Sequence, residues 1–188
     1  MNTPSNGTAF ISCSLNPKDE PFVSMIERIV IAHNLKPFGT VGKYSAAPVN
    51  TALLMRQNIP LADILVVVAS PRYFQKNLQT GKIYKGISEM LHVEAGMAYA
   101  YGKPIVAFVQ EGTNLGNFLP NITQYIVLNG FQKDLDKNWP LINNLFTNAI
   151  QMANKAKQIK SLKGFRNILV GGLAFIGGAT IIDSFSDE

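Results

Sequence analysis

Glu94 is the residue of this sequence whose type and setting best suit chemistry. Between Ser88 and Pro104, helical spacing stacks Met90, Glu94, Met97, Ala98 and Tyr101 on one face by three- and four-residue steps. Glu94 therefore stands within an apolar row. A carboxylate there is unfavourable unless it is paired, hydrogen bonded or turned towards a cleft. The same surroundings raise its pKa, which suits a general acid or base or a tuned nucleophile. Gly96, two positions on, leaves room for a ligand or a close strand. The alternative is a rim glutamate in a local ion pair with Lys103 or Arg72.

Other reactive groups are sparse. Cys13 is the single cysteine, so the chain forms no internal disulfide, and no metal site is expected. Cys13 falls in an apolar run with no evident histidine partner and reads as a small core residue. His33 and His92 lack metal-ligand spacing, and His92 falls on the opposite side of its helix from Glu94. The glycines between Gly112 and Gly116 are not followed by Lys-Ser/Thr, which excludes a phosphate-binding P-loop.

The elements that must position Glu94 follow from the hydrophobic pattern. Residues 8–14 form a short apolar run, read as a buried strand. Asp19, Glu20 and Pro21 open a helix, and Phe22, Ile26, Ile29, Val30 and His33 follow at helical spacing as far as about Asn34. Residues 35–40 form a second strand, placed at a sheet edge by Pro37. Residues 41–47 are a loop, and 48–58 a helix closed by Pro60. Residues 64–69 (ILVVVA) show no alternation, as in a strand buried on both sides. Residues 70–84 read as a long loop, 87–101 as a strong helix and 104–109 as another doubly buried strand. An irregular stretch over 112–123, a strand over 125–128 and an amphipathic helix over 139–157 complete the pattern. Alternating strands and helices imply an α/β three-layer sandwich, flavodoxin-like, with a five-stranded parallel sheet in the order 2-1-3-4-5.

In such a sheet, ligands bind at the C-terminal strand ends. That gathers Ser12 and Ser14, then Phe38, Gly39 and Thr40, then Ser70 and Tyr73 around one cleft with Glu94 and Met90. Hydroxyls there suit a ribose or a phosphate, and aromatic rings suit a base. Taken singly, the serines and threonines are equally ordinary caps and turns. Gly42 and Lys43 lie in the loop after the second strand, where Lys43 reads as a solvated side chain.

Two resemblances bear on this pattern. The run from Glu94 to Pro104 (EAGMAYAYGKP) resembles the E-x-G-x-A-x-A-x-G-K-P stretch of nucleoside 2-deoxyribosyltransferases. In that family the glutamate is the nucleophile at the anomeric carbon. Phe10-Ile11-Ser12-Cys13-Ser14 resembles the opening strand of Toll/interleukin-1 receptor (TIR) domains. Asp63 to Val68, with Ser70, Pro71 and Tyr73, resembles their third strand and its exit. Met90 stands four residues before Glu94, where a tryptophan is common in TIR enzymes. Together the motifs cover about Ala9 to Asn129. Both resemblances imply one cleft, one key glutamate and chemistry at an anomeric carbon. The TIR-like reading implies an NAD+ glycohydrolase or cyclase, with NAD+ as substrate and no cofactor, in bacterial antiviral defence. The alternatives are a deoxyribosyltransferase-like enzyme on smaller nucleosides, or a TIR-like assembly scaffold in which Glu94 is structural.

The ends of the chain differ in kind. Residues 1–7 are polar and read as a disordered leader before a domain over 8–157. Residues 158–188 form a basic connector and an apolar tail. Seven of the 17 basic residues lie between Lys133 and Arg166, and residues 168–182 carry no charge. From Phe165 to Phe185 a helix comes near a membrane-spanning length, with the preceding lysines on the cytoplasmic side. The expectation is a cytoplasmic domain whose tail attaches to the inner face of a membrane or to other copies. The chain has 188 residues, 47% hydrophobic and 15% charged, with a net charge of +5. No basic stripe interleaved with aromatics appears outside the connector, so a nucleic-acid partner is not expected.

Overall fold

The computed structural model describes the backbone of residues 5–176 and the side chains of residues 5–161. Strands β1 (Gly7–Ser12), β2 (Leu35–Phe38), β3 (Ile64–Ala69), β6 (Ile105–Gln110) and β8 (Tyr125–Leu128) form one sheet, in the order β2-β1-β3-β6-β8. Every pairing in it is parallel. The fold is thus the expected α/β sandwich in the expected strand order. Between the sheet strands lie α1 (Glu20–Ala32), α2 (Thr51–Leu61), β4 (Tyr73–Lys76), β5 (Ile83–Gly86), α3 (Glu89–Ala100), β7 (Thr113–Asn114) and α4 (Phe118–Ile122). Helix α5 spans Gln132–Ile176.

Two cores, one on each face, explain why the central strands lack polar alternation. Ile64, Val66 and Val68 of β3 point into a cluster with Val23, Ile26 and Val30 of α1 and with Ile142 and Phe146 of α5. Leu65, Val67 and Ala69 point the other way, against Met55 and Ile59 of α2 and Leu91, Ala95 and Ala98 of α3. A period of two sends successive side chains into opposite cores, so both sets must be apolar. Pro37 is tolerated because β2 is the edge strand. Beyond β2 a side chain continues the ladder. Thr40 Oγ1 accepts from the Ile11 amide at 3.2 Å and donates to the Ile11 carbonyl at 2.7 Å.

Four local readings are corrected. Residues 70–84 are not one long loop, because β4 and β5 form an antiparallel hairpin that pairs with β7 in a second, three-stranded sheet. The hairpin turn is built by Asn77, whose Oδ1 accepts from the Gln79 and Thr80 amides, and by Gly81 at φ +70°. The stretch over 112–123 holds β7 and α4 rather than irregular chain. Helix α2 starts at Thr51, because Asn50 caps it by accepting from Leu53 N at 2.7 Å, and it runs through Pro60. A proline so near the helix end removes only one intrahelical bond. Helix α5 starts at Gln132, seven residues before Trp139, with Pro140 inside it. Its opening is fixed by Asp134 Oδ2, which accepts from the Asn129 amide at 2.9 Å, and by Asn129 Oδ1, which accepts from Phe131 N at 3.0 Å.

The chain divides into two compact units, Met1–Ala153 and Asn154–Glu188. Ser5 and Asn6 are bonded to the α1–β2 turn, with Asn6 N donating to the Asn34 carbonyl at 2.8 Å. Residues 1–4 of the expected leader lie outside the described residues. So do the side chains of the expected tail from Phe165 to Phe185, and its backbone beyond Ile176. No helix among the described residues is long and apolar enough to cross a membrane.

Thr40→Val keeps the shape of this buried side chain and removes both hydrogen bonds to Ile11. Stranding those groups is expected to lower unfolding free energy by about 1–3 kcal/mol, read as a shifted urea midpoint with an unchanged slope. An unshifted midpoint would mean that the Thr40 hydroxyl does not hold the edge of the sheet.

Candidate active site

Helix α3 begins where Ser88 caps it, its Oγ accepting from Met90 N at 3.3 Å. The buried face of α3 is Leu91, Glu94, Ala95 and Ala98. Ala95 and Ala98 have no exposed surface, and their small size lets the helix lie close against the sheet. Glu94 belongs to this face and is 8% exposed. Its neighbour in the second core is the end of β1, and there Ser12 Oγ donates a hydrogen bond to Glu94 Oε2. Ser12 is itself buried.

Among the described residues, no cation balances this carboxylate. Lys43 pairs with Glu20 and Glu27, and Lys103 Nζ donates to the Ala62 carbonyl. Glu94 feels burial and the Ser12 hydroxyl but no charge of Lys103 or Arg72, so the expected rim ion pair is not formed. Burial pushes the Glu94 carboxyl up to about 7, against the opposing pull of the Ser12 hydrogen bond. Its ionised and neutral forms are then both populated near neutrality.

Glu94 lines a cavity of about 720 Å³ at the C-terminal ends of β1 and β3. Chain order reverses between these neighbouring strands, which is where open α/β sheets bind ligands. Of the residues expected at the cleft, Ser14, Ser70, Tyr73 and Met90 line it with Glu94. Ser12 holds Glu94 from behind. Ser70 is 2% exposed and its Oγ has no hydrogen-bond partner. A buried hydroxyl left without a partner at a cavity wall is a contact available to a ligand. The Tyr73 hydroxyl is engaged with Glu89 Oε2 at 2.9 Å. Glu89 sits below the usual carboxylate range, through its own backbone hydrogen bond and then that of Tyr73.

Phe38, Gly39 and Thr40 are not brought to the cavity. Phe38 packs on the second core, and Gly39, at φ +72°, lies against Phe10 while its carbonyl accepts from Asn58 Nδ2 at 3.2 Å. Thr40 is spent on Ile11, and its carbonyl accepts from the Tyr44 and Ser45 amides. The chain thus turns back after β2, and Val41 lines the cavity instead. Nor is Lys43 free in solvent. Its Nζ lies 2.8 Å from Glu27 and 3.4 Å from Glu20, and the Tyr44 hydroxyl donates to Glu27 at 3.0 Å. Burial works against the Lys43 charge, but the Glu27 hydrogen bond and the two carboxylates outweigh it and hold its pKa above the usual value.

The sequence reading missed Asn16, Thr51 and Arg72 as lining residues. Asn16 and Arg72 follow β1 and β3 within a few residues, so the strand-exit rule could have included them. Thr51 comes from the start of α2, for which no motif speaks. Cys13 also lines the cavity, but burial, and then the Glu27 charge, push its thiol up to about 12. It stays protonated at neutral pH and is no nucleophile. Gly96 faces Phe118 of α4 rather than the cavity, and the His92 ring meets the same phenylalanine edge-on.

No protein-family model and no curated protein matches the chain. The solved structures that resemble it distantly include the following two. The CMP N-glycosidase BcmB of Clostridium botulinum is 16% identical with a TM-score of 0.46, over 71% of this chain and 98% of that one. BlsM, solved in solution, is 19% identical with a TM-score of 0.47, over 80% of this chain and 93% of that one.

The raised Glu94 carboxyl links stability to pH. Between its ordinary value of 4.5 and about 7, the folded chain keeps a proton that the unfolded chain has lost. Stability therefore falls as pH rises through that window. Glu94→Gln removes the ionisation and is expected to be more stable than the parent at about pH 8, by up to about 3 kcal/mol. The difference should vanish near pH 4, a trend that urea denaturation across pH would follow. A Gln variant less stable than the parent at high pH would mean that the carboxylate is held by a charge partner.

Proposed function

We propose that this chain cleaves the N-glycosidic bond of a nucleoside or nucleotide, with Glu94 acting at the anomeric carbon. The observation that carries the reading is Glu94 itself, a buried carboxyl with no counter-ion among the described residues, at the wall of a cavity at the sheet's switch point. A nucleophile or ion stabiliser at an anomeric carbon must be anionic when the base departs. It must also remain reactive, which a tightly paired carboxylate does not. The Ser12 hydroxyl supplies one hydrogen bond to the anion and fixes its orientation. As the C1′–N bond breaks, positive charge develops on the sugar ring, and Glu94 stabilises it or bonds to it. Departure of the base and entry of water, or of another acceptor, complete the step.

The remaining wall suits the rest of such a substrate. Ser14 and Ser70 offer hydroxyls to sugar oxygens, Arg72 offers a cation to phosphate, and Tyr73 and Met90 offer apolar surface to a base. The E-x-G-x-A-x-A-x-G-K-P resemblance that starts at Glu94 supports the same chemistry. The TIR-like form of the proposal narrows the substrate to NAD+, and the deoxyribosyltransferase-like form narrows it to deoxynucleosides.

Incubation with NAD+, with deoxynucleosides and with nucleoside monophosphates, followed by chromatography of the released base, separates these forms. Glu94→Gln is expected to lower cleavage by at least about 10³-fold while the protein stays folded. Because the anion is the working form, the rate should rise with pH to a plateau above about 7. Ser12→Ala removes a donor to that anion, so the midpoint of the rise should move to higher pH. Undiminished turnover in folded Glu94→Gln would take Glu94 out of the reaction and leave the scaffold reading.

A further inference from the structure

The β4–β5 hairpin presents a face that the domain does not use. Strand register puts Phe74 opposite Lys85 and Lys76 opposite Ile83, all on one side. The other side carries Tyr73, Gln75, Tyr84 and Gly86. There Gly86 is buried and Tyr73 lines the cavity. On the outer side, Phe74 is 78% exposed and Ile83 68%, and Leu78 at the turn is 94% exposed. Three large apolar side chains in water at one hairpin are far from a scattered surface hydrophobe. The charge pattern is equally one-sided. Residues 71–86 carry Arg72, Lys76, Lys82 and Lys85 and not one Asp or Glu.

We propose that the β4–β5 hairpin docks this domain on an anionic membrane surface, with Phe74, Leu78 and Ile83 entering the interface and the lysines meeting lipid headgroups. The chemistry of the face selects this occupant. An apolar tip ringed by cations matches acyl chains below and anionic headgroups above. A second copy of the same hairpin would bring four cations against four, a like-charge contact. A nucleic acid would use the lysines and one phenylalanine, but it offers nothing to Leu78 at the tip or to Ile83. The proposal is independent of the cleavage reaction and of the C-terminal tail.

The test is sedimentation of the full chain with vesicles, either equal parts phosphatidylserine and phosphatidylcholine or phosphatidylcholine alone. Binding is expected on the anionic vesicles, with marked weakening between about 0.1 and 0.5 M NaCl. Phe74→Ser with Leu78→Ser is expected to lower partitioning at least about tenfold. Lys76→Glu and Lys85→Glu should each lower it about fivefold or more. These side chains are solvent-exposed, so thermal melts should be unchanged, and a melt matching the parent shows that a lost signal is lost docking. No binding to anionic vesicles overturns the proposal. So does binding that the hairpin variants leave intact, which would assign it to another part of the chain. Hairpin variants that weaken oligonucleotide binding and not vesicle binding overturn it in favour of nucleic acid. Variants that only convert an oligomer to a monomer overturn it in favour of a second copy.

Discussion

A carboxyl group held out of water, with no cation beside it among the described residues, is the constraint around which this domain is arranged. Glu94 is buried because α3 lies flat on the sheet, and α3 lies flat because Ala95 and Ala98 give it no bulk on that side. The unfavourable term is large, since an isolated carboxylate in an apolar setting loses most of its hydration. The fold meets it in two ways. It lets the group keep a proton over much of the physiological range, and it aims the Ser12 hydroxyl at the oxygen that remains. A nearby lysine would have been the simpler remedy. Lys43, on the loop that also brings Val41 to the cavity, is instead committed to Glu27 and Glu20 on α1.

That division of charges separates two tasks. The Lys43–Glu27–Tyr44 group pins the loop after β2 to α1, with Glu27 mostly buried beneath it. The pin holds Val41 at the cavity wall without bringing a cation to Glu94. Placing Thr40 on Ile11 serves the same end, because it closes the sheet edge with a side chain where β2 has already stopped. Loop and edge are thus held by hydrogen bonds and ion pairs, and the placement of Val41 at the cavity wall depends on them.

Much of this was legible in the sequence, and the reasons differ by element. The runs ILVVVA and IVAFVQ announce doubly buried strands because a period of two feeds two cores at once. Glu94 stood out because helical spacing set a charge within an apolar row. The β4–β5 hairpin did not stand out, because its outer face mixes Phe, Lys, Ile and Lys and so lacks the alternation that marks a half-buried strand. Its cue was the turn from Asn77 to Gly81 between two aromatic-containing runs. Pro60 was read as a helix boundary, yet it sits inside α2, whose packing outweighs one lost bond; α5 was started at Trp139, yet it begins at Gln132. The split of the strand-exit residues was not legible either. Ser12, Ser70 and Thr40 look alike in sequence, and only tertiary geometry sends one to Glu94, one to the cavity wall and one to Ile11.

The site is assembled by contacts that lie outside it. Ser12 is placed by strand register, opposite Val67 on β3. Glu94 is placed by the alanines that follow it on α3. Arg72 and Tyr73 are placed by the root of the hairpin, where the Arg72 amide donates to the Gly86 carbonyl at 2.7 Å and Tyr73 pairs with Gly86. A Cβ at Gly86 would meet only the end of the exposed Gln75 side chain, which can swing aside. The hairpin therefore has two ends with different obligations. Its root, with Gly86 buried and Arg72 and Tyr73 at the cavity wall, shapes the cavity, while its tip is exposed. Selection for the cavity alone would explain the root and leave Phe74, Leu78 and Ile83 without a reason to be apolar. Their exposure works against solubility, and the alternation with lysine is what keeps so apolar a tip compatible with water until a surface of opposite charge covers it.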